Sequence, residues 1–508
     1  MRKGLFEELE KYGQSDFYPF HMPGHKRNAE SGPLSAIYKC DITEIDGFDN
    51  LHQAQGIIKE AQEHAALLYQ SDETYFLING STAGILSAVS SVAGRGRKLI
   101  AARNCHKAVY HAAFLNRLEM EYIYPDEIED FGISAGISVK QVEDKIREIA
   151  LREGIEDNRI NSLIAGIILT SPTYDGILSD IKGIVKAAHS YGIPVIVDQA
   201  HGAHFGFHPD FPESAVAEGA DLVIHSVHKT LPAPTQTALL HHNGSLVNGE
   251  LIRKFLRIYQ SSSPSYILMS GIDACMEIVE REGKEKLEKL ISYRQELTKE
   301  AKKLKHIRIY PSMAEKQDGQ ENSVFWANGV QEPGRLLISV RGTELNGQQF
   351  YDILREKYHL QMEMCASDYV IAILSMMDRR EGFERLSKAL AEIDKTLGRS
   401  CGGILTEPAE RNRKISLAYQ QYRPKAELNI SEAFTAEYDY IRMEEAEGRI
   451  AADFVNLYPP GIPILVPGEK MDDKVLQMTA AYLKDGYIVQ GIEKYKPDDG
   501  YYVKVIKD

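Results

Sequence analysis

Residues that could work together on a small amine stand at the ends of apolar runs. Leu222-Val223-Ile224 leads to His225-Ser226-Val227-His228-Lys229, and Ile193 to Val197 leads to Asp198-Gln199-Ala200-His201-Gly202-Ala203-His204. A lysine becomes a nucleophile when it loses its proton, and a carboxylate is costly to bury unless a cation or several donors meet it. Gly80-Ser81-Thr82 follows Tyr75-Phe76-Leu77-Ile78 and opens a helix-like segment. Such a turn suits an anion, because glycine lets the backbone approach closely while free amides and the helix dipole attract negative charge. His106, after Leu99-Ile100-Ala101-Ala102, adds a flat ring at a neighbouring run's end.

Each feature is weak alone. The turn lacks the lysine of a P-loop and reads more readily as a helix start, an arbitrary lysine is usually at the surface, and an isolated histidine is more often core or surface. Together they match what pyridoxal 5′-phosphate requires: a phosphate cradle, a Schiff-base lysine (Lys229) and a carboxylate (Asp198) for the pyridine nitrogen, with His106 placed to stack on the ring. The same residues admit a rival, a metal-dependent hydrolase built from Asp198, His201, His204, His208, His225 and His228. That alternative leaves the lysine and the phosphate-type turn unused, so no metal is expected.

These groups need a sheet to hold them. Up to about Gly271 short apolar runs alternate with helix-like segments, which predicts an α/β large domain around a mostly parallel buried sheet. Loops at the carboxyl ends of such strands form the binding crevice. From Met276 to about Leu304 an apolar stripe predicts a long exposed connecting helix. Strands over 307–310, 323–327 and 336–340 and helices over 347–357 and 382–397 then give a small α+β domain. A linker around Cys401 to Pro408 precedes an appended C-terminal α+β domain, with Ser431 capping a helix, an extended Tyr458-Pro459-Pro460-Gly461-Ile462-Pro463, a turn at 497–500 and a strand over 501–506. The expected division is an arm over 1–30, a cofactor-binding domain over 31–275, a small domain over 276–400 and a C-terminal domain over 401–508.

The chain's 508 residues suffice for several domains, and 43% hydrophobic with 26% charged residues is ordinary for a globular protein. Lysine and arginine total 59 against 73 acidic residues, a formal net charge of −14 that argues against nucleic-acid or anionic-membrane partners. Five scattered cysteines without a C-x-x-C pair indicate neither a disulfide framework nor a cysteine zinc site. With no signal-like or membrane-spanning run, a cytoplasmic location is expected.

Phe20-His21-Met22-Pro23-Gly24-His25-Lys26, Leu51-His52-Gln53-Ala54-Gln55-Gly56-Ile57-Ile58, Asp198 to His204, Ser226-Val227-His228-Lys229, Gly448-Arg449-Ile450-Ala451-Ala452 and the 458–463 segment together resemble the Orn/Lys/Arg decarboxylase family in its short bacterial form. The resemblance spans nearly the whole chain. It implies the aminotransferase fold (fold type I), Lys229 linked to pyridoxal phosphate, Asp198 at the pyridine nitrogen, His106 stacked on one ring face and Ala200 against the other. It assigns the phosphate to Ser81, Thr82, Ser226 and His228. It also implies a homodimer or higher homo-oligomer with shared active sites, in which Ser262 and Ser263 reach a neighbouring phosphate.

The implied reaction is decarboxylation of a basic L-amino acid. Arginine to agmatine, in polyamine biosynthesis, is favoured, with lysine to cadaverine and ornithine to putrescine as alternatives. Glu44, Asp46, Asp49, Glu444, Glu445 and Glu469 are candidate acids for the substrate's cationic end. An aminotransferase with Arg341 clamping the α-carboxylate and a catalytically silent homologue complete the alternatives.

Overall fold

The computed structural model describes residues 2–28, 30, 32–311, 313, 329–398, 423–458, 462–484, 488–495 and 500–507. Expectations for the 323–327 strand, the 401–408 linker, Pro459 to Gly461 and the 497–499 part of the last turn fall outside them.

Seven strands build the large sheet: β1 (Glu73–Leu77), β2 (Lys98–Ala102), β3 (Glu119–Ile123), β4 (Ile164–Thr170), β5 (Val195–Asp198), β6 (Leu222–His225) and β7 (Ala238–His242). Their spatial order is β1-β7-β6-β5-β4-β2-β3, with β7 antiparallel to both neighbours and the others parallel to one another. Every residue of β2, β5, β6 and β7 is buried, so these strands read as short apolar runs with polar residues at their ends, not as alternation. A sheet covered on both faces requires that pattern. Leu99, Ile168, Ile196, Leu222 and Ile224 pack on one side, and Ile100, Ile167, Val195, Val197 and Val223 on the other.

The register carries chemistry to one edge. Asp198, the last residue of β5, lies opposite Thr170 of β4 and Ile224 of β6. Three helices start from that edge: α1 (Gly80–Val92) after β1, α2 (Lys107–Leu115) after β2, and the one-turn α3 (Val227–Thr230) after β6.

Helix α4 (Tyr266–Ala301) starts ten residues before the sequence-predicted position. Tyr266, Met269 and Ile272 are already part of its buried face, and Ser265 caps it by accepting from the Leu268 N–H at 3.3 Å. It is also less exposed than expected. Its apolar stripe shares one core with Leu5, Ile58 and Tyr69 on the large-domain side and with Leu336, Ile338 and Val370 on the other. At roughly 1.5–3 kcal/mol per fully buried Leu or Ile, such a stripe outweighs the modest propensity differences along the helix.

The small sheet contains β8 (Arg308–Ile309), β9 (Arg335–Ser339), β10 (Met364–Cys365) and β11 (Tyr369–Ile373), antiparallel in the order β8-β9-β11-β10. Helices α5 (Gly347–Tyr358) and α6 (Arg380–Thr396) accompany it. Arg294 of α4, fully buried, donates to the carbonyls of Pro333, Arg335 and Tyr310 and so fixes the entry into β9. Beyond it lie two three-stranded antiparallel sheets: β12 (Tyr438–Arg442) with β17 (Gly500–Ile506) and β16 (Ile492–Tyr495), and β14 (Ile462–Leu465) with β13 (Val455–Tyr458) and β15 (Ile488–Gln490). A short helix over Ile430–Ala433 is capped not by Ser431 but by Asn429, whose side chain accepts from the Ser431 N–H at 3.0 Å. Among the described residues no helix is long and apolar enough to cross a membrane, and Cys40, Cys105, Cys275 and Cys365 are free thiols.

Candidate active site

The sheet edge gathers the expected groups. Asp198 is 3% exposed, and one of its oxygens accepts from the Ala200 N–H at 3.2 Å. Burial raises its pKa above the ordinary carboxylate range, a shift that Lys229 would oppose to the extent that it is protonated. A buried carboxylate with so little donor support is short of a cation. Lys229, on the one-turn helix after β6, is half-buried, and burial lowers its pKa against the attraction of Asp198. Among the described residues no ion pair joins the two, although each feels the other's charge.

A cradle for an anion lies beside them. Helix α1 begins at Gly80, whose φ of +74° is a left-handed conformation, and no side chain caps its first turn. Its opening amides are therefore left without a capping acceptor, at the positive end of a thirteen-residue helix. Ser226 Oγ donates to Ser81 Oγ at 2.8 Å, which brings the two serines from α1 and the β6 end together. Thr82 is exposed at the same turn. His228 donates its Nδ1 proton to the Thr237 carbonyl at 2.8 Å, leaving Nε2 available, and burial lowers its pKa.

His106 caps α2, its Nδ1 accepting from the Ala108 N–H at 3.2 Å. Its own surface is open, yet the surrounding protein and the charges of Lys229 and Lys107 push its pKa down to about 4. It is thus a neutral ring with a free face. Ala200, directly after the Asp198 turn, is buried. The donor set fits pyridoxal phosphate: an uncapped helix start and two serines for a phosphate, an under-supported acid for a protonated ring nitrogen, and an amine for an aldehyde.

Matches to known families follow the same lines. The family model described as Orn/Lys/Arg decarboxylase, major domain, matches residues 3–377, and the Orn/Lys/Arg decarboxylase, C-terminal domain, matches residues 412–507. The chain belongs to the Orn/Lys/Arg decarboxylase family. It is 31% identical over 510 residues to a curated arginine decarboxylase of Bacillus anthracis, covering 97% of this chain and 98% of the relative. To the arginine decarboxylase of Bacillus subtilis it is 30% identical over 512 residues, covering 99% and 98%. The crystal structure of the Francisella novicida lysine decarboxylase superposes with a TM-score of 0.84 at 20% identity, over 99% of this chain and 81% of that one, which shows a shared fold.

Within this decarboxylase framework several expectations change. The histidine set of the metal alternative disperses: His204 faces Glu332, His208 faces Glu288, His225 bonds Gln199 and His241, and His228 bonds Thr237. Among the described residues no three such groups stand together as a metal would need. Arg341, the candidate clamp, pairs with Asp368 at 3.4 Å and donates to the Glu129 carbonyl. Asp49 is committed to backbone, accepting from the N–H groups of Asn50, Gln55, Gly56 and Ile58 at the start of a helix. Glu469 is buried against Arg103 at 3.0 Å and the Val466 N–H at 2.8 Å, and so is unavailable to a substrate. Glu44 is half-buried, Asp46, Glu444 and Glu445 are exposed, and Ser262 and Ser263 lie on the surface.

Four residues were not foreseen. Fully buried Arg335, first residue of β9, donates to His201 Nδ1, and Glu332 stands beside it. Tyr174 packs edge-on to His201, ring centroids 5.1 Å apart, and donates to Glu363 Oε1 at 2.7 Å. Glu363 is exposed, and its negative charge is felt by both Lys229 and Arg335. A signal for Arg335 existed: an arginine opening an otherwise apolar strand, Arg335-Leu336-Leu337-Ile338, is rare unless it has partners. Glu363 carries no such local mark.

Proposed function

We propose that this chain binds pyridoxal 5′-phosphate and decarboxylates a basic L-amino acid, with arginine as the substrate and agmatine and carbon dioxide as products. The observation that carries the proposal is the pairing, at one sheet edge, of a buried carboxylate short of a cation with a lysine of lowered basicity, beside an uncapped helix start. Lys229 Nζ would hold the cofactor covalently, Asp198 would face its ring nitrogen, and His106 and Ala200 would bound the ring's two faces. Ser81, Thr82, Ser226 and His228 would hold the phosphate. Because His228 Nδ1 already donates to Thr237, a contact with phosphate falls to Nε2. When bound, the cofactor supplies an electron sink for the pair released as the bond to the carboxylate breaks.

The chain's own contribution is positioning and charge. The carboxylate Asp198 favours a protonated ring nitrogen, and neutral His106 covers the ring without adding charge that would compete with the sink. Glu363, steadied by the Tyr174 hydroxyl, would meet the substrate's cationic end, a reading supported by its charge acting on Lys229. A planar guanidinium pairs well with a carboxylate, and the curated Bacillus relatives carry the name arginine decarboxylase. The four-part division at 30/31, 275/276 and 400/401, a cytoplasmic location and a homodimer or higher homo-oligomer with Ser262 and Ser263 near the partner's phosphate belong to the same proposal.

One panel tests it: purified, cofactor-supplemented protein offered carboxyl-labelled arginine, lysine and ornithine, with released carbon dioxide counted. Release from arginine well above the other two is expected. Release from lysine or ornithine instead would move the substrate assignment, and no release from any would refute the activity.

A further inference from the structure

The hydrogen bonds around His201 fix where its proton sits. Arg335 has donors and no acceptor, and it donates to His201 Nδ1. That nitrogen must therefore carry a lone pair, so the ring is neutral with its proton on Nε2. His201 Nε2 in turn lies 3.0 Å from Lys229 Nζ. A protonated Nε2 can only donate, and an ammonium group has no lone pair to receive it. One assignment is consistent with both contacts of the His201 ring, and in it Lys229 is a free amine.

We propose that Arg335, acting through His201, is a positioning residue that holds Lys229 as a neutral amine with its lone pair directed back along the Nε2–H bond. This rests on Lys229 being the amine that captures the cofactor, since a neutral amine is the form that attacks an aldehyde.

The arrangement is built in rather than incidental. Arg335 is fully buried, and its guanidinium meets Glu332 Oε1 and the Gly334 carbonyl, each at 3.4 Å. Glu332 is itself fixed by His204 Nε2 at 3.2 Å and by the Gly334 N–H. Gly176, with φ of +88°, leaves room for the arginine stem: a Cβ there would sit 2.5 Å from Arg335 Cγ. The other charged and titratable groups facing Lys229 pull in both directions. Asp198 and Glu363 favour the ammonium form, whereas Arg335 and the surrounding protein disfavour it, and neutral His106 and His228 complete the surroundings. The balance leaves Lys229 less basic than an ordinary lysine and His201 far less basic than an ordinary histidine.

The test uses full-length protein freed of cofactor and limiting acetic anhydride, with acetylation of Lys229 followed across pH by peptide mass spectrometry. Wild type should show a labelling midpoint below that of an unperturbed lysine, with more free amine near neutrality than an ordinary lysine has. Arg335→Gln, too short to reach His201, and His201→Phe should each raise the midpoint and lower labelling at pH 7.5 by about tenfold. In the double variant the effects should not add, because Arg335 acts through His201. An Arg335→Gln effect that persists undiminished beside His201→Phe would overturn the relay in favour of a through-space field. A wild-type midpoint at the ordinary lysine value would overturn the proposal outright. Arg335→Lys, which keeps a cationic donor and the Glu332 contact, should stay closer to wild type than Arg335→Gln, and the reverse would also count against it. None of these readouts depends on turnover. A wrong assignment of Lys229 as the cofactor's anchor would appear separately, as failure of reductive trapping at that residue.

Discussion

Replacing Asp198 by Asn should make the cofactor-free protein more stable and the loaded enzyme worse. In the free protein the Asp198 carboxylate is 3% exposed with a single backbone donor. Removing an ion from water costs several kcal/mol even after relaxation, and one hydrogen bond to a charged group returns about 1.5–3 kcal/mol. A neutral amide of the same shape should therefore gain about 1–3 kcal/mol, or roughly 2–10 °C in Tm for domains of this size. The sign follows from the raised pKa: the stability that Asp198 contributes is present below the unfolded carboxylate's pKa and is lost as pH rises through the folded value. The advantage of the Asp198→Asn variant should accordingly grow with pH. With cofactor bound, a carboxylate facing a cation at hydrogen-bond distance is worth about 5 kcal/mol at an effective dielectric near 20. Losing it should shrink the cofactor-induced Tm shift and lower turnover by about a thousandfold. Thermal melts of both proteins, with and without cofactor, from pH 5 to 8 read out the stability effects, and released carbon dioxide reads out turnover. Were Asp198→Asn to lower the Tm of the cofactor-free protein and leave the cofactor shift intact, Asp198 would be a structural cap and its assignment would fail.

Two further substitutions separate recognition from architecture. Glu363→Gln should raise KM more than it lowers kcat, with a loss of about 10- to 100-fold in kcat/KM for the charged substrate, since it removes one charge-assisted contact made in ground and transition states alike. An unchanged KM would remove Glu363 from the site. Burial pushes the Glu469 pKa up to about 7 despite Arg103, so native protein holds that proton above the ordinary carboxylate value of 4.5. Wild-type stability should then fall, by on the order of 3 kcal/mol, as pH rises from about 4.5 to 7. Glu469→Gln, which keeps an acceptor for Arg103, should flatten that part of the pH–stability curve in differential melts; an unaltered slope would contradict the burial argument.

Much of the site was legible because its chemistry is local to strand ends. Leu222 to Ile224 and Val195 to Val197 are β-branched or apolar without interruption, so the first polar groups after them had to emerge at the crevice. The register then places Asp198 and the His225 end of β6 at one edge. What was not legible is what converges from elsewhere. Arg335 and Glu363 come from the small sheet, more than a hundred residues from Lys229, and only the packing of β9 and the segment before β10 brings them near. Arg341 follows β9, where Asp368 and the Glu129 carbonyl hold it, whereas Arg335 opens that strand against His201. Glu469 and Asp49 have the composition of substrate ligands, but a buried guanidinium and a row of helix amides already satisfy them. The start of α4 was misplaced because its first turns are mostly apolar and covered, with Asp273 buried against Arg2, so the amphipathic stripe becomes obvious only where the run of charged residues begins at Glu277.

The most direct test of the central claim is borohydride reduction of the cofactor-loaded protein followed by peptide mapping. A reduced pyridoxyl group on Lys229, together with loss of the near-visible absorbance band in Lys229→Ala, is predicted. A label on any other lysine, or an unaltered band in Lys229→Ala, would contradict the account.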